Sequence, residues 1–253
     1  MNAPQPRDMW GAQQRDAWRV AALSMMSPAE LQTLLSGDAS DAASWVEAAA
    51  ACGLPEAQVR LGRMLLEGQG VARDARAALA CFLCAAETGD AEAQNMLGRC
   101  YENGWGTAPD VSRAAVLYRE AAEAGLAWAQ YNLGHLLLDG SGVARDRDAA
   151  FLWYMRAATQ GHARAMNLVA RCFEQGWGVT RDAGAARNWY RQSAEDGYFR
   201  GAYNYATILA AKGCGTGAVR WFRQALDTAP EPTRSNIAMV LRRHPDARMR
   251  ALP

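Results

Sequence analysis

The chain has 253 residues, half of them hydrophobic and 21% charged, with a formal net charge of +1. Near-neutrality leaves no global field to draw it to nucleic acid or an anionic membrane, and no stretch reaches the roughly 18 apolar residues of a membrane span. Lys212 is the only lysine, so the positive charge is almost entirely arginine, the better residue for forked contacts to carboxylates and for stacking on aromatic rings.

Residues 1–7 read as disordered, and the polar opening "MNAPQPRDMWGAQQRD" is not a secretory leader, which predicts a cytoplasmic protein without membrane insertion. Residues 8–53 read as degenerate N-terminal cap helices. "SPAEL", Ser27 to Leu31, starts a helix with Ser as N-cap and Pro at the first position. Asp38, Ala42, Val46, Ala49, Ala50 and Gly53 predict a second helix at about 41–52, because they stand one period before counterparts in the repeats that follow.

From residue 54 the chain repeats every 36 residues. Gly-x-Gly recurs at Gly68/Gly70, Gly104/Gly106, Gly140/Gly142 and Gly176/Gly178, and the same step relates Ala57, Ala93, Ala129 and Ala165. Each period reads as two helices. In the first, Ala129, Leu133, Leu136 and Leu137 make an amphipathic stripe. Gly134, matched by Gly62 and Gly98, lies inside that helix, where a tiny residue costs propensity and so implies close approach of a neighbour. Gly-x-Gly ends the helix through the left-handed cap, and Asp74, Asp110, Asp146 and Asp182 open the second helix by accepting orphan N–H groups. The second helices place an aromatic between alanines, as in Ala114/Tyr118/Ala122 and Ala150/Tyr154/Ala158.

"AQYNLGHLLLDGSGVARDRDAAFLWYMRAATQG", Ala129 to Gly161, resembles the Sel-1-like repeat, a longer relative of the tetratricopeptide repeat. The resemblance covers residues 54–197 as units 54–89, 90–125, 126–161 and 162–197. A shortened, tetratricopeptide-like fifth unit follows at 198–229, and then a C-terminal cap helix and tail at 230–253, disordered after Pro245. It implies an all-α right-handed superhelical solenoid of antiparallel helix pairs, a bacterial source, and a non-enzymatic scaffold or adaptor that binds a partner segment in a concave groove.

Catalytic and metal-binding readings are weak. Gly-x-Gly lacks the strand and the Gly-Lys-Ser/Thr ending of a phosphate loop, and the turn lacks alternating acids for calcium. Cys81-Phe-Leu-Cys84 sits within a helix rather than at its start, and Cys100 and Cys172 fall in a core column. His135, His162 and His244 show no metal-ligand spacing. No catalytic residue, metal site or cofactor is assigned. A hydrolase acting on cell-wall or β-lactam substrates, as suggested for cysteine-rich secreted relatives, is the rival reading; regular cysteine pairs are missing here. Self-association is a third, although a monomer is favoured.

The candidate groove residues follow the Leu-Gly step or precede it by a turn: Arg63, Arg99, His135 and Arg171, then Asn95, Tyr131, Asn167 and Tyr203. Arg and Asn stacked along a groove suit a protein or peptide partner with an acidic segment. The competing reading pairs each arginine with an acid on the next turn, Glu67, Glu102, Asp139 or Glu174, leaving a solvated face. Trp105, Trp128 and Trp177 are candidates for an aromatic partner-binding edge.

Overall fold

The computed structural model describes residues 39–252 together with Ala22, with side chains from residue 43 onward. The disordered start expected at 1–7 and the helix expected from Ser27 lie outside the described residues. The described residues hold thirteen helices and no strand. Two units divide after Ala124.

The first unit contains α1 (Ala39–Ala51), α2 (Pro55–Glu67), α3 (Ala75–Ala86), α4 (Ala91–Asn103) and α5 (Val111–Glu123). The second contains α6 (Ala127–Asp139), α7 (Arg147–Thr159), α8 (Ala163–Gln175), α9 (Ala183–Glu195), α10 (Phe199–Ala211), α11 (Gly215–Thr228), α12 (Thr233–Arg242) and α13 (Ala247–Arg250). In each unit, successive helices pack as hairpin pairs, and each pair packs on the next, the construction of a helical solenoid.

The caps explain why the chain breaks where it does. Gly68, Gly104, Gly140 and Gly176 take the left-handed conformation that ends each first helix, with φ of 73°, 71°, 74° and 73°. Asp74, Asp110, Asp146 and Asp182 accept backbone N–H groups of the helices they precede. In two of the pairs the second glycine has another task. At Gly106 and Gly178 a Cβ would run into the backbone at the start of the preceding second helix, at Ala75 and at Arg147 respectively. These glycines are where one repeat seats on the last.

The glycine inside the first helix accommodates the aromatic of the second. A Cβ at Gly98 would lie 2.7 Å from Tyr118 Cε1, and one at Gly134 2.6 Å from Tyr154 Cε1. Both tyrosine rings are wholly buried. The four alanines of the Ala57 column are buried completely as well.

The C-terminal cap is longer than expected. Beyond α12, which buries Ile237 and Leu241 against Phe222 and its neighbours, the described residues after Pro245 are not disordered: they include α13, with Met249 fully buried. Asp246 caps that turn and is gripped by Arg248, whose hydrogen bonds hold its carboxyl down to about 2.

Candidate functional site: an arginine-lined pocket in the second unit

The first helices of the second unit, α6, α8 and α10, enclose with α12 a cavity of about 410 Å³. Five of the eight expected groove residues meet there: Tyr131, His135, Asn167, Arg171 and Tyr203. The cavity also takes in Asn204, which neighbours the Tyr203 position, and residues that the sequence reading passed over, among them Arg164, Tyr198, Phe199 and Arg200, and from α12 Asn236, Ile237 and Val240.

All of its Arg, Lys, Asp and Glu lining residues are arginine: Arg164, Arg171 and Arg200. Among the described residues none of the three has a carboxylate in ion-pair contact. Each guanidinium is instead laid on an aromatic ring. Arg171 stands 5.1 Å from the Trp177 ring centre, and Arg200 5.6 Å from Phe199. Arg164 lies between Trp128 and Tyr198, at 5.1 and 5.8 Å. Stacking engages the face of a guanidinium rather than its N–H groups, an arrangement that suits forked bonds to a carboxylate.

An amide pair floors the site. Asn167 is 4% exposed, and its Oδ1 accepts from Asn204 Nδ2 at 2.9 Å. His162 caps α8, its Nδ1 accepting the Ala165 N–H at 3.1 Å, while its ring lies 4.4 Å from Trp128 and 5.0 Å from Tyr131. Burial, and then the nearby Arg164 charge, push its pKa down to about 4. Burial also pushes the Tyr131 phenol above its ordinary range.

The remaining expected residues behave differently. Arg63 is exposed and ion-paired with Glu92 of the following first helix, not with Glu67 on its own next turn. Asn95 is buried, at 6% exposure like its column-mate Asn167 at 4%, because α4 is covered by its partner α5 and by α3 and α2 of the preceding repeat, which widens its buried arc beyond one stripe. Glu102 and Glu174 are not arginine partners either. They accept the hydroxyls of Tyr118 and Tyr190 at 2.6 and 3.0 Å.

Trp105 and Trp177 are not an open edge. Both are half-buried, Trp105 under Arg99 and Trp177 under Arg171, at 5.1 Å in each case. Trp128 does remain exposed, at 45%. The structure thus joins two sets of candidates into one motif, an arginine in the helix stacked on the tryptophan of the Gly-Trp-Gly turn.

One signal in the sequence does mark the added arginines. The second position of the first helices reads Glu56, Glu92, Trp128, Arg164, Arg200 at steps of 36 residues, acidic in the first unit and basic at the end of the second.

The cysteines carry no reactive chemistry in the core: burial pushes the Cys100 and Cys172 thiols up to about 11 and about 12. Among the described residues no cluster of His, Cys, Asp or Glu is arranged to hold a metal ion, and no helix is long and apolar enough to cross a membrane.

An array of capped helix pairs with a pocket on its first helices is a helical-repeat protein of the kind that presents a surface to partners. The Sel1 repeat family profile matches residues 55–90, 91–126, 129–162 and 163–198, and the chain belongs to that family. A solved Sel1 repeat protein from Oxalobacter formigenes is 31% identical, with a TM-score of 0.70 over 80% of this chain and 81% of its own. The protective antigen c5321 of uropathogenic Escherichia coli, which displays an SLR fold, is 28% identical at a TM-score of 0.67; the match covers 91% of this chain and 50% of that one. Immunity protein Pa5087 of Pseudomonas aeruginosa shares the fold at 15% identity and a TM-score of 0.54, over 78% and 74% of the two chains. No curated protein matches the sequence. Sel1 repeat proteins are in general protein-interaction scaffolds, typically without enzymatic activity.

Proposed function

We propose that this chain is a non-enzymatic bacterial adaptor, working in the cytoplasm, whose second unit binds an acidic segment of another protein in the pocket between α6, α8, α10 and α12. The observation that carries the reading is the set of three arginines, Arg164, Arg171 and Arg200, held on aromatic rings with no carboxylate of the described chain paired to them. Uncompensated cations converging on one cavity set up a field that favours anionic groups and disfavours cationic ones. The volume lies in the range of roughly 300–1,000 Å³ found for binding clefts, enough for a few residues of an extended chain. Tyr131, Tyr203 and the Asn167–Asn204 pair supply ring faces and amides for its main chain. The Sel1 region, the shortened unit after it and the C-terminal cap then have separate tasks, the last two closing the pocket.

Fluorescence anisotropy with a labelled octaglutamate peptide tests this. Wild type binds it and ignores octalysine, while combined Arg171→Ala and Arg200→Ala weakens binding by about tenfold or more with an unchanged helical melting curve. Equal binding of the two peptides, or full affinity in the double variant, would overturn the reading.

A further inference from the structure

Much of the apolar wall of the pocket comes from outside the four matched repeats, with Leu168 and the Tyr131 and Tyr198 rings contributed from within them. Phe199 and Tyr203 stand on α10 and Ile237 and Val240 on α12, all beyond residue 198 where the last match ends. Arg164 and Arg171, by contrast, lie within the last repeat, and Arg200 stands just beyond it on α10. The cavity therefore joins two cations built on the last repeat to a third cation and most of an apolar side added by the chain that closes it.

Capping alone does not account for that apolar side. Leu241 and Ile237 already seal α12 against the core, at 0% and 7% exposure. Val240 lies on the same helix with 52% of its surface open, and lines the cavity. Asn236 and Thr233, one and two turns earlier, line it too.

Charge complementarity fixes the outer part of the ligand, and this wall fixes its centre. An all-acid segment satisfies the guanidinium groups but leaves Phe199 and Val240 wet. A side chain of Leu or Phe size among the carboxylates covers them and excludes water from the ion pairs, which strengthens those as well. We propose that the pocket selects an acidic segment of a partner protein carrying an apolar anchor side chain, with the anchor seated against Phe199, Ile237 and Val240. The cations would set affinity for the class, and the terminal elements α10 and α12 would set the choice within it. This rests on the acidic-segment reading above.

Two labelled peptides of equal charge separate the two ideas: six glutamates flanking a central Leu-Phe pair, and six flanking Gly-Ser. Wild type is expected to bind the Leu-Phe peptide about tenfold more tightly. Val240→Glu, at a half-exposed position that folding tolerates, removes that preference, and Val240→Ser reduces it without adding charge. Arg171→Ala weakens both peptides alike. Equal affinities in wild type, or a preference surviving in both Val240 variants, overturns the anchor proposal and leaves acidic binding standing. If neither peptide binds, both readings fall.

Discussion

Arg63 in α2 and Arg171 in α8 occupy the same column three repeats apart, and the fold treats them oppositely. Arg63 is tied to Glu92 at the second position of the next first helix. The position equivalent to Glu92 beside Arg171 is Arg200, so Arg171 keeps its charge and leans on Trp177. A column predicts where a side chain stands, but its fate depends on the column that faces it. Exposed ion pairs such as Arg63–Glu92 add little stability. The difference between the two regions is therefore one of available charge rather than of folding stability.

The most direct way to break the contrast is Arg200→Glu, which gives Arg171 the neighbour that Arg63 has. Octaglutamate affinity should fall by more than about tenfold, through loss of one cation and neutralisation of a second, while the melting temperature stays put. Anisotropy and circular dichroism on the same sample check both halves. Unchanged affinity would mean that the uncompensated charge is incidental.

A second contrast lies at the helix starts. Asp90 caps α4, whereas His162 caps α8 beside the pocket wall. The folded His162 pKa of about 4 lies below the ordinary value of 6.5, so the unfolded chain binds more protons between those limits. Stability contributed by His162 is complete above pH 6.5 and is lost as pH falls toward 4. The loss should reach about 1–2 kcal/mol, allowing for the ring's partial exposure. His162→Asn keeps an acceptor for the Ala165 N–H and carries no charge. Urea titrations of wild type and variant should diverge as pH falls through this window, and parallel curves would contradict the cap's role.

The architecture was legible because glycine and aspartate do local work. Gly104, with φ of 71°, and Asp110, accepting the Arg113 N–H, act within their own turns, so the period exposed them directly. The site was legible only in part, because it depends on pairs of columns. Trp105 and Trp177 occur in just those repeats that also have Arg99 and Arg171, while Arg63 goes with Gln69 and His135 with Ser141. Reading the two columns together signals the stacks; reading them separately suggested a groove and an edge. The burial of Asn95 and Asn167 has a related cause, since a polar residue on an inner helix of an array has neighbours on three sides. The α12 wall carries no repeat signal at all, so only the fold brings it to the pocket.

The smallest effect tests the same rule inside the core. Tyr118 and Tyr190 donate to Glu102 and Glu174, sixteen residues back, but the residue in that place for Tyr154 is Leu138. The Tyr154 hydroxyl is buried without a hydrogen-bond partner among the described residues. Its ring is what the fold uses, packed against Gly134 and within 5.6 Å of the His135 ring. The first repeat already contains the matched alternative, Phe82 with Leu66. Tyr118→Phe should therefore cost about 1 kcal/mol, whereas Tyr154→Phe should be neutral or gain up to about 1 kcal/mol by removing a stranded polar group. Denaturant midpoints of the two variants should move in different directions or by clearly different amounts. Equal losses would show that the hydroxyl of Tyr154 is satisfied in solution, and that the facing column does not decide its contribution.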